Sequence, residues 1–216
     1  MPFTVASGQT SGSGQSITLT IAIPAHSVVG VVGFSVSGSN PAGNGSCVDS
    51  NSVAYSVGNV GGTNSYAETF YTLDSGSVAA SLIFTAANGG GSYFGINVAA
   101  WVITPAGPTS LGSTMAGVWS NPSTSPNGLS TGNLSIVTTD GIILGYAFDQ
   151  NANNLTAGTA PLMTVDSNVG PGGRIQEHAL VSTASPATWT CSGASDFGMI
   201  VGLSFQSNTA TVAWLT

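Results

Sequence analysis

Two glutamates, Glu68 and Glu177, come closest to forming a catalytic pair. Glycoside hydrolases use two carboxyl groups about 5–9.5 Å apart, and these glutamates occupy matching places in two similar stretches of the chain. A duplicated polar position explains the match without catalysis, and each glutamate would then lie on an exposed strand face. We expect this second interpretation, because a repeat places one residue twice without any chemical need. No catalytic residue is therefore predicted.

The two histidines, His26 and His178, are the candidates for the general base of a Ser-His-Asp triad. His178 adjoins Glu177, but neighbouring residues of a strand point to opposite faces. His26 follows Pro24 and Ala25 in a predicted turn, and the sequence has no Gly-x-Ser-x-Gly nucleophile motif. We expect both histidines to be surface or turn residues.

Two Asp-Ser-Asn triplets, 49–51 and 166–168, offer the oxygen ligands that calcium prefers. The same residue types are typical of Asx turns, and the sequence has no Asp-x-Asp-x-Asp-Gly loop. The two cysteines and two histidines lack the spacing of a zinc site. The sequence therefore predicts neither a metal ion nor another cofactor.

Trp119 is the best candidate for stacking on a sugar ring, because it lies in a segment rich in Pro, Ser and Asn. Trp101 and Trp189 lie within strand patterns, and we expect them to be buried. For a carbohydrate-binding function, the sequence thus predicts the glycan contact at Trp119.

The two cysteines, Cys47 and Cys191, allow two states. A disulfide between them would close a very long loop and contribute roughly 4–5 kcal/mol in the chain-entropy model. Two buried free thiols agree with the sequence equally well. Sequence alone leaves both alternatives open.

Strands must position these groups, because apolar and polar residues alternate repeatedly along the chain. A fully apolar run at 28–34 indicates a central strand. Clusters of Gly, Asn, Ser and Pro supply the turns. The alternating runs are 17–23, 94–100, 142–148, 197–205 and a closing strand at 211–215. The predicted fold is all-β, a jelly-roll-like antiparallel β-sandwich.

Five elements occur twice in the same order and strand phase. The pairs are 28–36 with 141–148, Val-Asp-Ser-Asn at 48–51 with 165–168, 68–71 with 177–180, 81–84 with 188–191, and 93–101 with 196–205. We therefore expect one domain at 15–216 built from two units, at about 15–104 and 133–216. A crossing loop at 105–132, rich in Pro, Gly and Ser, joins them. Residues 1–14 are predicted to form a flexible N-terminal arm.

Charge is nearly absent from this chain of 216 residues. Only 4% of the residues are charged, against roughly 25% in an ordinary soluble domain. One basic residue, Arg174, stands against eight acidic ones, and the formal net charge is −7. One arginine cannot neutralise phosphates, which argues against nucleic acids and anionic membranes as partners. No apolar run reaches the ~20 residues of a spanning helix, and no signal peptide is visible.

The order of these motifs resembles the jelly-roll-like β-sandwich modules of phage virion proteins, such as head-decoration and tail-fibre proteins, and of bacterial secreted proteins. The resemblance covers 17–214 and rests on Val48-Asp49-Ser50 with a following aromatic strand, on 93–101, and on the same order repeated to Phe205. It implies a module that decorates a larger surface or binds glycans. It implies no catalytic residue.

Three classes of function remain. The first is a non-enzymatic structural protein of a virion surface, a capsid-decoration or tail/fibre component of a bacteriophage. It would assemble with other virion proteins and with itself as a homo-oligomer, in a virion or outside the cell. The second is a carbohydrate-binding module or lectin-like secreted domain, and the third is a hydrolase on a jelly-roll frame. We favour the first, because few charges suit burial against neighbouring subunits.

Overall fold

The computed structural model describes residues 3–37, 45–61, 65–87, 93–105, 109–121, 129–149, 155–169, 173–191 and 195–207. These residues form sixteen β-strands and no helix. The described residues therefore contain no membrane-spanning helix. The strands of the first half are β1 (Phe3–Gly12), β2 (Ser16–Ile23), β3 (Val28–Ser37), β4 (Ser46–Asp49), β5 (Ser56–Gly61), β6 (Ser65–Thr72), β7 (Ala79–Thr85) and β8 (Tyr93–Pro105). Those of the second half are β9 (Thr109–Asn121), β10 (Leu129–Ser130), β11 (Gly141–Asp149), β12 (Leu155–Ala157), β13 (Thr164–Val169), β14 (Arg174–Val181), β15 (Thr188–Cys191) and β16 (Ser195–Ser207).

The strands β1–β8 and β9–β16 form two units with the same strand order. The first unit has a five-stranded sheet, β1-β8-β3-β6-β5, and a three-stranded sheet, β2-β7-β4. The second unit has the five-stranded sheet β9-β16-β11-β14-β13 and the three-stranded sheet β10-β15-β12. Each strand of the first unit thus has a counterpart eight strands later. The all-β antiparallel sandwich is confirmed, and the jelly-roll detail stays a prediction.

The four sheets stack in four layers with three hydrophobic cores between them. The first outer core fills the space between the two sheets of the first unit, and the second outer core does the same in the second unit. The central core lies between the two five-stranded sheets and joins the units. Phe70 and Phe84 are large buried side chains of the first outer core. Trp101 and Phe205 lie in the central core, and Leu155 and Trp189 in the second outer core.

The two units face each other symmetrically across the central core. Strand β1 contacts β13, and β5 contacts β9. Strand β9 is the counterpart of β1, and β13 is the counterpart of β5. The β1–β13 contact in one direction is therefore equivalent to the β9–β5 contact in the other. This is the arrangement of an isologous dimer interface within a single chain.

The prediction of a flexible arm at 1–14 is wrong over β1. This strand pairs with β8 along its whole length, from Phe3 opposite Pro105 to Gly12 opposite Ile96. Phe3 is buried in the central core. The pairing partner comes from the far end of the unit, and the local sequence gives little sign of it because Ser, Gly and Thr predominate.

The crossing loop predicted at 105–132 is also wrong, since β9 occupies 109–121 and pairs with β16. The unit boundaries therefore fall near 105–109.

The two Val-Asp-Ser-Asn stretches are not equivalent in the structure. The first includes the end of β4, whereas the second lies in β13, which is the counterpart of β5. The strand predicted at 211–215 lies outside the described residues.

Candidate functional site

Glu68 and Glu177 are buried, at 1% and 0% exposure, so the expectation of exposed faces is wrong. Glu68 lies on β6 opposite Gly33 of β3. Glu177 lies on β14 opposite Gly145 of β11. In both units the glutamate therefore lies beside a glycine of the central strand of its five-stranded sheet.

Each of these glycines makes room for an aromatic ring from the three-stranded sheet. A Cβ atom on Gly33 would clash with the ring of Phe84 on β7, and one on Gly145 would lie 2.8 Å from Trp189 on β15. The same Cβ on Gly145 would lie 3.2 Å from Oε1 of Glu177. A glutamate, a glycine and an aromatic ring thus come together in each outer core.

Burial shifts the protonation of both carboxyl groups. It raises the pKa of Glu68 to about 7, although the backbone N–H of Gly45 donates to Oε2 at 2.7 Å and opposes the shift. Burial, and then the negative charge of Asp166, raise the pKa of Glu177 to about 9. Neither oxygen of Glu177 has a hydrogen-bond partner among the described residues. Glu177 is therefore a neutral acid at pH 7.

The two glutamates do not form the carboxyl pair of a glycoside hydrolase. Each points from its five-stranded sheet into its own outer core, so the two carboxyl groups lie on opposite sides of the central core. Stacked sheets are about 10 Å apart, which already exceeds the ~5–9.5 Å separation of such a pair. Their near-complete burial also separates them from any polymeric substrate.

Asp166 connects the two units through hydrogen bonds. It is the extra residue of a β-bulge in β13, between Val165 and Ser167, and a bulge redirects a side chain that regular pairing would place elsewhere. Its Oδ2 accepts a hydrogen bond from Nε1 of Trp101 on β8 at 2.9 Å. Its Oδ1 lies 2.8 Å from Nδ1 of His178 on β14. Because β8 belongs to the first unit, Asp166 joins both units.

Further polar contacts continue this link along the same side of the central core. Nε2 of Gln176 donates to the backbone carbonyl of Ala100 at 2.7 Å, and both groups are buried. Two more links among the described residues are Gln9 Nε2 to Ser167 Oγ at 2.8 Å and Arg174 Nη1 to Asn97 Oδ1 at 2.7 Å. The inter-unit polar layer is our name for the side chains that make these bonds: Gln9, Asn97, Trp101, Asp166, Ser167, Arg174, Gln176 and His178. Directional bonds of this kind set the registration of two sheets more strictly than apolar packing does.

The structure separates the two histidines. His26 is exposed in a turn with φ = 60°, and its Nδ1 lies 3.2 Å from Oδ1 of Asp74. His178 is half-buried in the inter-unit polar layer, so the expectation that it is a surface residue is wrong. The sequence contains no sign of this contact, because Asp166 approaches from a neighbouring strand through a bulge.

The Asp-Ser-Asn triplets have structural partners of their own. Oδ1 of Asp49 accepts hydrogen bonds from the backbone N–H groups of Asn51 and Val53, at 2.8 and 3.1 Å, and closes an Asx turn. Asp166 of the second triplet is engaged in the inter-unit polar layer. In the described part of the chain, no three His, Cys, Asp or Glu residues come together as a metal site.

Cys47 and Cys191 are buried and do not form a disulfide, so the alternative of a disulfide between them is wrong. Cys47 lies in the first outer core and Cys191 in the second, with both five-stranded sheets between them. Sγ of Cys191 donates to Oδ2 of Asp149 at 3.0 Å. Burial, and then the charge of Asp49, raise the pKa of Cys47 to about 12.

The expectation that Trp101 and Trp189 are buried is confirmed, at 0% and 1% exposure. Trp119 lies in strand β9, where its backbone is opposite Gly198, and not in a loop. Its side chain lies outside the described part of the structure. A glycan contact at Trp119 therefore stays a prediction.

No protein-family model matches the sequence, and no curated protein matches it. Among solved structures, the chain is similar to one from the atomic structure of Sulfolobus Turreted Icosahedral Virus. The similarity covers 95% of this chain and 91% of that chain, with 8% sequence identity and a TM-score of 0.32. At these values the likeness to a virus protein is weak and carries no argument about function.

Proposed function

We propose that this chain is a non-enzymatic structural protein of a virion surface, a capsid-decoration or tail/fibre component that acts by protein–protein assembly. The observation that carries the proposal is the chemistry of the two outer faces of the four-layer stack. The resemblance of the motif order to phage virion modules supplies the proposed setting, a virion of a bacteriophage.

Both outer faces carry hydroxyl groups and small or apolar side chains. On the three-stranded sheet of the first unit, the outward side chains include Ser16, Thr18, Thr20, Ala22, Ser46, Ser81, Ile83 and Thr85. On that of the second unit they are Ser130, Thr156, Thr188 and Thr190. None of these residues is charged. Some hydroxyls already bond each other, as Ser16 Oγ and Thr85 Oγ1 do at 2.9 Å.

Such faces are suited to contact with other proteins. Burying a hydroxyl costs about 1–3 kcal/mol when it stays unpaired and little when it finds a partner, whereas an unpaired charge costs far more. A sheet face that remains in water normally carries charged side chains. Two uncharged faces at opposite ends of the stack allow each molecule to contact neighbours on two sides.

The described titratable groups also support a non-enzymatic role. Glu68 and Glu177 are buried in separate cores, and the only described His–Asp pair with substantial burial belongs to the inter-unit polar layer. These groups are enclosed within the sandwich and are not gathered around a substrate cleft.

Light scattering coupled to size-exclusion chromatography tests the proposal. We expect a discrete closed oligomer, or retention of the protein by purified capsid or tail proteins. Thr18→Lys and Thr156→Lys each put a charge on one outer face and should weaken that assembly, because the charge would be buried without a partner. His26→Lys is the matched control, since it adds a lysine in an exposed turn. A monodisperse monomer without affinity for capsid or tail proteins would overturn the proposal.

A carbohydrate-binding function is the second candidate, favoured by a cavity of about 470 Å³ on the outer face of the second unit. Five of its ten lining residues bear a hydroxyl group: Ser130, Thr156, Thr159, Thr188 and Thr190. Hydroxyl groups of this kind can donate to and accept from sugar hydroxyls. A glycan array with wild type and Thr190→Val tests this candidate. Binding that the variant loses would support it, and an array without any bound glycan would reject it.

A further inference from the structure

A cavity of about 290 Å³ at the junction of the two units contains the only basic side chain of the protein. The lining residues are Ser11, Gly12, Gly95, Ile96, Asn97, Phe148 and Arg174. The first five belong to β1 and β8 of the first unit, and the last two to β11 and β14 of the second. The cavity therefore exists only where the two units meet.

Arg174 is held in this cavity by a neutral partner. Its Nη1 donates to Oδ1 of Asn97 at 2.7 Å. Among the described side chains no carboxylate lies within ion-pair distance of Arg174, although the chain has eight acidic residues. A guanidinium has five N–H donors, and the bond to Asn97 uses one of them, so Arg174 has the capacity to bind a further acceptor.

The surroundings of Arg174 favour one class of anion. A guanidinium binds carboxylates and phosphates in a bidentate manner. The net charge of −7 repels a phosphate dianion more strongly than a singly charged carboxylate. The hydroxyl of Ser11 and the amide of Asn97 can bond ligand hydroxyls, while Phe148 adds an apolar side chain to the wall of the cavity. The volume is just below the usual range of small-molecule pockets, about 300–1,000 Å³, and suits a single ring.

We propose that this cavity binds an acidic monosaccharide unit through its carboxylate. The carboxylate lies on Arg174, the sugar hydroxyls on Ser11 and Asn97, and the apolar face of the ring against Phe148. The site is separate from both outer faces, so it depends on neither proposed function.

Isothermal titration calorimetry with D-glucuronate, D-glucose and acetate tests the proposal on the full chain. We expect glucuronate to bind at least about tenfold more tightly than either of the others, since glucose lacks the carboxylate and acetate lacks the ring. Arg174→Gln should weaken glucuronate binding by about tenfold or more. Arg174→Lys should retain part of the affinity, because lysine keeps the charge and loses the bidentate geometry.

Two further variants separate binding from folding. Ser11 is exposed and lines the cavity. The variant Ser11→Ala should therefore weaken glucuronate binding a few-fold without affecting the unfolding midpoint. Thr156→Val alters the other cavity and should leave glucuronate binding unchanged. Folded wild type that does not bind glucuronate, or equal affinity in folded Arg174→Gln, would overturn the site. Equal affinities for acetate and glucuronate would reject the sugar ring.

Discussion

At the residue scale, a carboxyl group occupies a core position in each outer core of this molecule. Ionised carboxylates are too costly to bury without partners, so such groups remain protonated when their surroundings allow it. Glu177 shows this most clearly, because burial raises its pKa to about 9. The glutamates therefore make the stability of the fold depend on pH.

Stability should fall as pH rises from 5 to 9. The pKa of Glu177 is raised from 4.5 to about 9 in the folded chain, whereas the unfolded chain keeps the ordinary value. Between these values the unfolded state binds fewer protons, so a rise in pH favours unfolding. Each unit of this difference is worth about 1.4 kcal/mol. Urea unfolding of wild type and Glu177→Gln at pH 5, 7 and 9 measures the effect.

In Glu177→Gln, the free energy of unfolding should fall much less between pH 7 and 9 than it does in the wild type. Glu68→Gln is the informative companion, because the pKa of Glu68 is raised only to about 7 and its contribution should be confined to the interval between pH 4.5 and 7. Parallel pH profiles for wild type and Glu177→Gln would show that Glu177 titrates normally in the folded state.

The two thiols should be unreactive in the folded protein and should not form a disulfide. Both are buried, and burial raises the pKa of Cys47 to about 12, so little thiolate is present at pH 8. We expect Ellman's reagent to find no reactive thiol under native conditions and two in denaturant. Fewer than two in denaturant without reductant would indicate oxidation.

At the element scale, two of the strands that the sequence pattern did not predict, β1 and β9, are counterparts of each other. Both β1 and β9 lie at an edge of their five-stranded sheet and pair with one neighbour, β8 and β16. Both sequences are rich in Ser and Gly, and Gly is depleted in strands. The hydrogen-bonding template on the neighbouring strand, and not local preference, makes these segments strands.

Substitution of the inward side of β1 should therefore destabilise the whole fold. Phe3 and Val5 contact the central core, whereas Thr4 and Ala6 are exposed. We expect the pair Phe3→Ser and Val5→Ser to lower the free energy of unfolding by roughly 3–5 kcal/mol. The matched pair Thr4→Ser and Ala6→Ser should change it by less than about 1 kcal/mol. If both pairs of substitutions have equal and negligible effects on urea unfolding, residues 1–14 behave as the flexible arm that the sequence predicts.

At the scale of the whole molecule, the central core makes the two units interdependent. Its residues come from β1, β3, β6 and β8 of the first unit and from β11 and β16 of the second. The inter-unit polar layer adds bonds such as Trp101 to Asp166. Each unit alone would expose one face of this core to water.

The two units should unfold together and remain associated after the chain between them is cut. A protease site inserted at 106–108 allows cleavage between β8 and β9. We expect the halves to co-elute in native size-exclusion chromatography, and calorimetry of the intact chain to show one transition. Separate elution of two folded halves, or two resolved transitions, would contradict a shared core.

The all-β class, most strands of the interior and the two matching halves can be inferred from the amino-acid sequence. These features depend on local alternation and on repeated order, which are visible within a few residues of each element. The burial of Trp101 and Trp189 followed from the same patterns.

The surroundings of the polar residues are visible only in the folded chain. Asp166 and Trp101 are 65 residues apart in sequence, and Gln9 and Ser167 are 158 apart. The environment of Glu177 depends on Gly145 and on Trp189 in another sheet. Whether a polar side chain faces water or a partner depends on which strands lie beside and above it, and strand order is set by long-range pairing that local pattern does not encode.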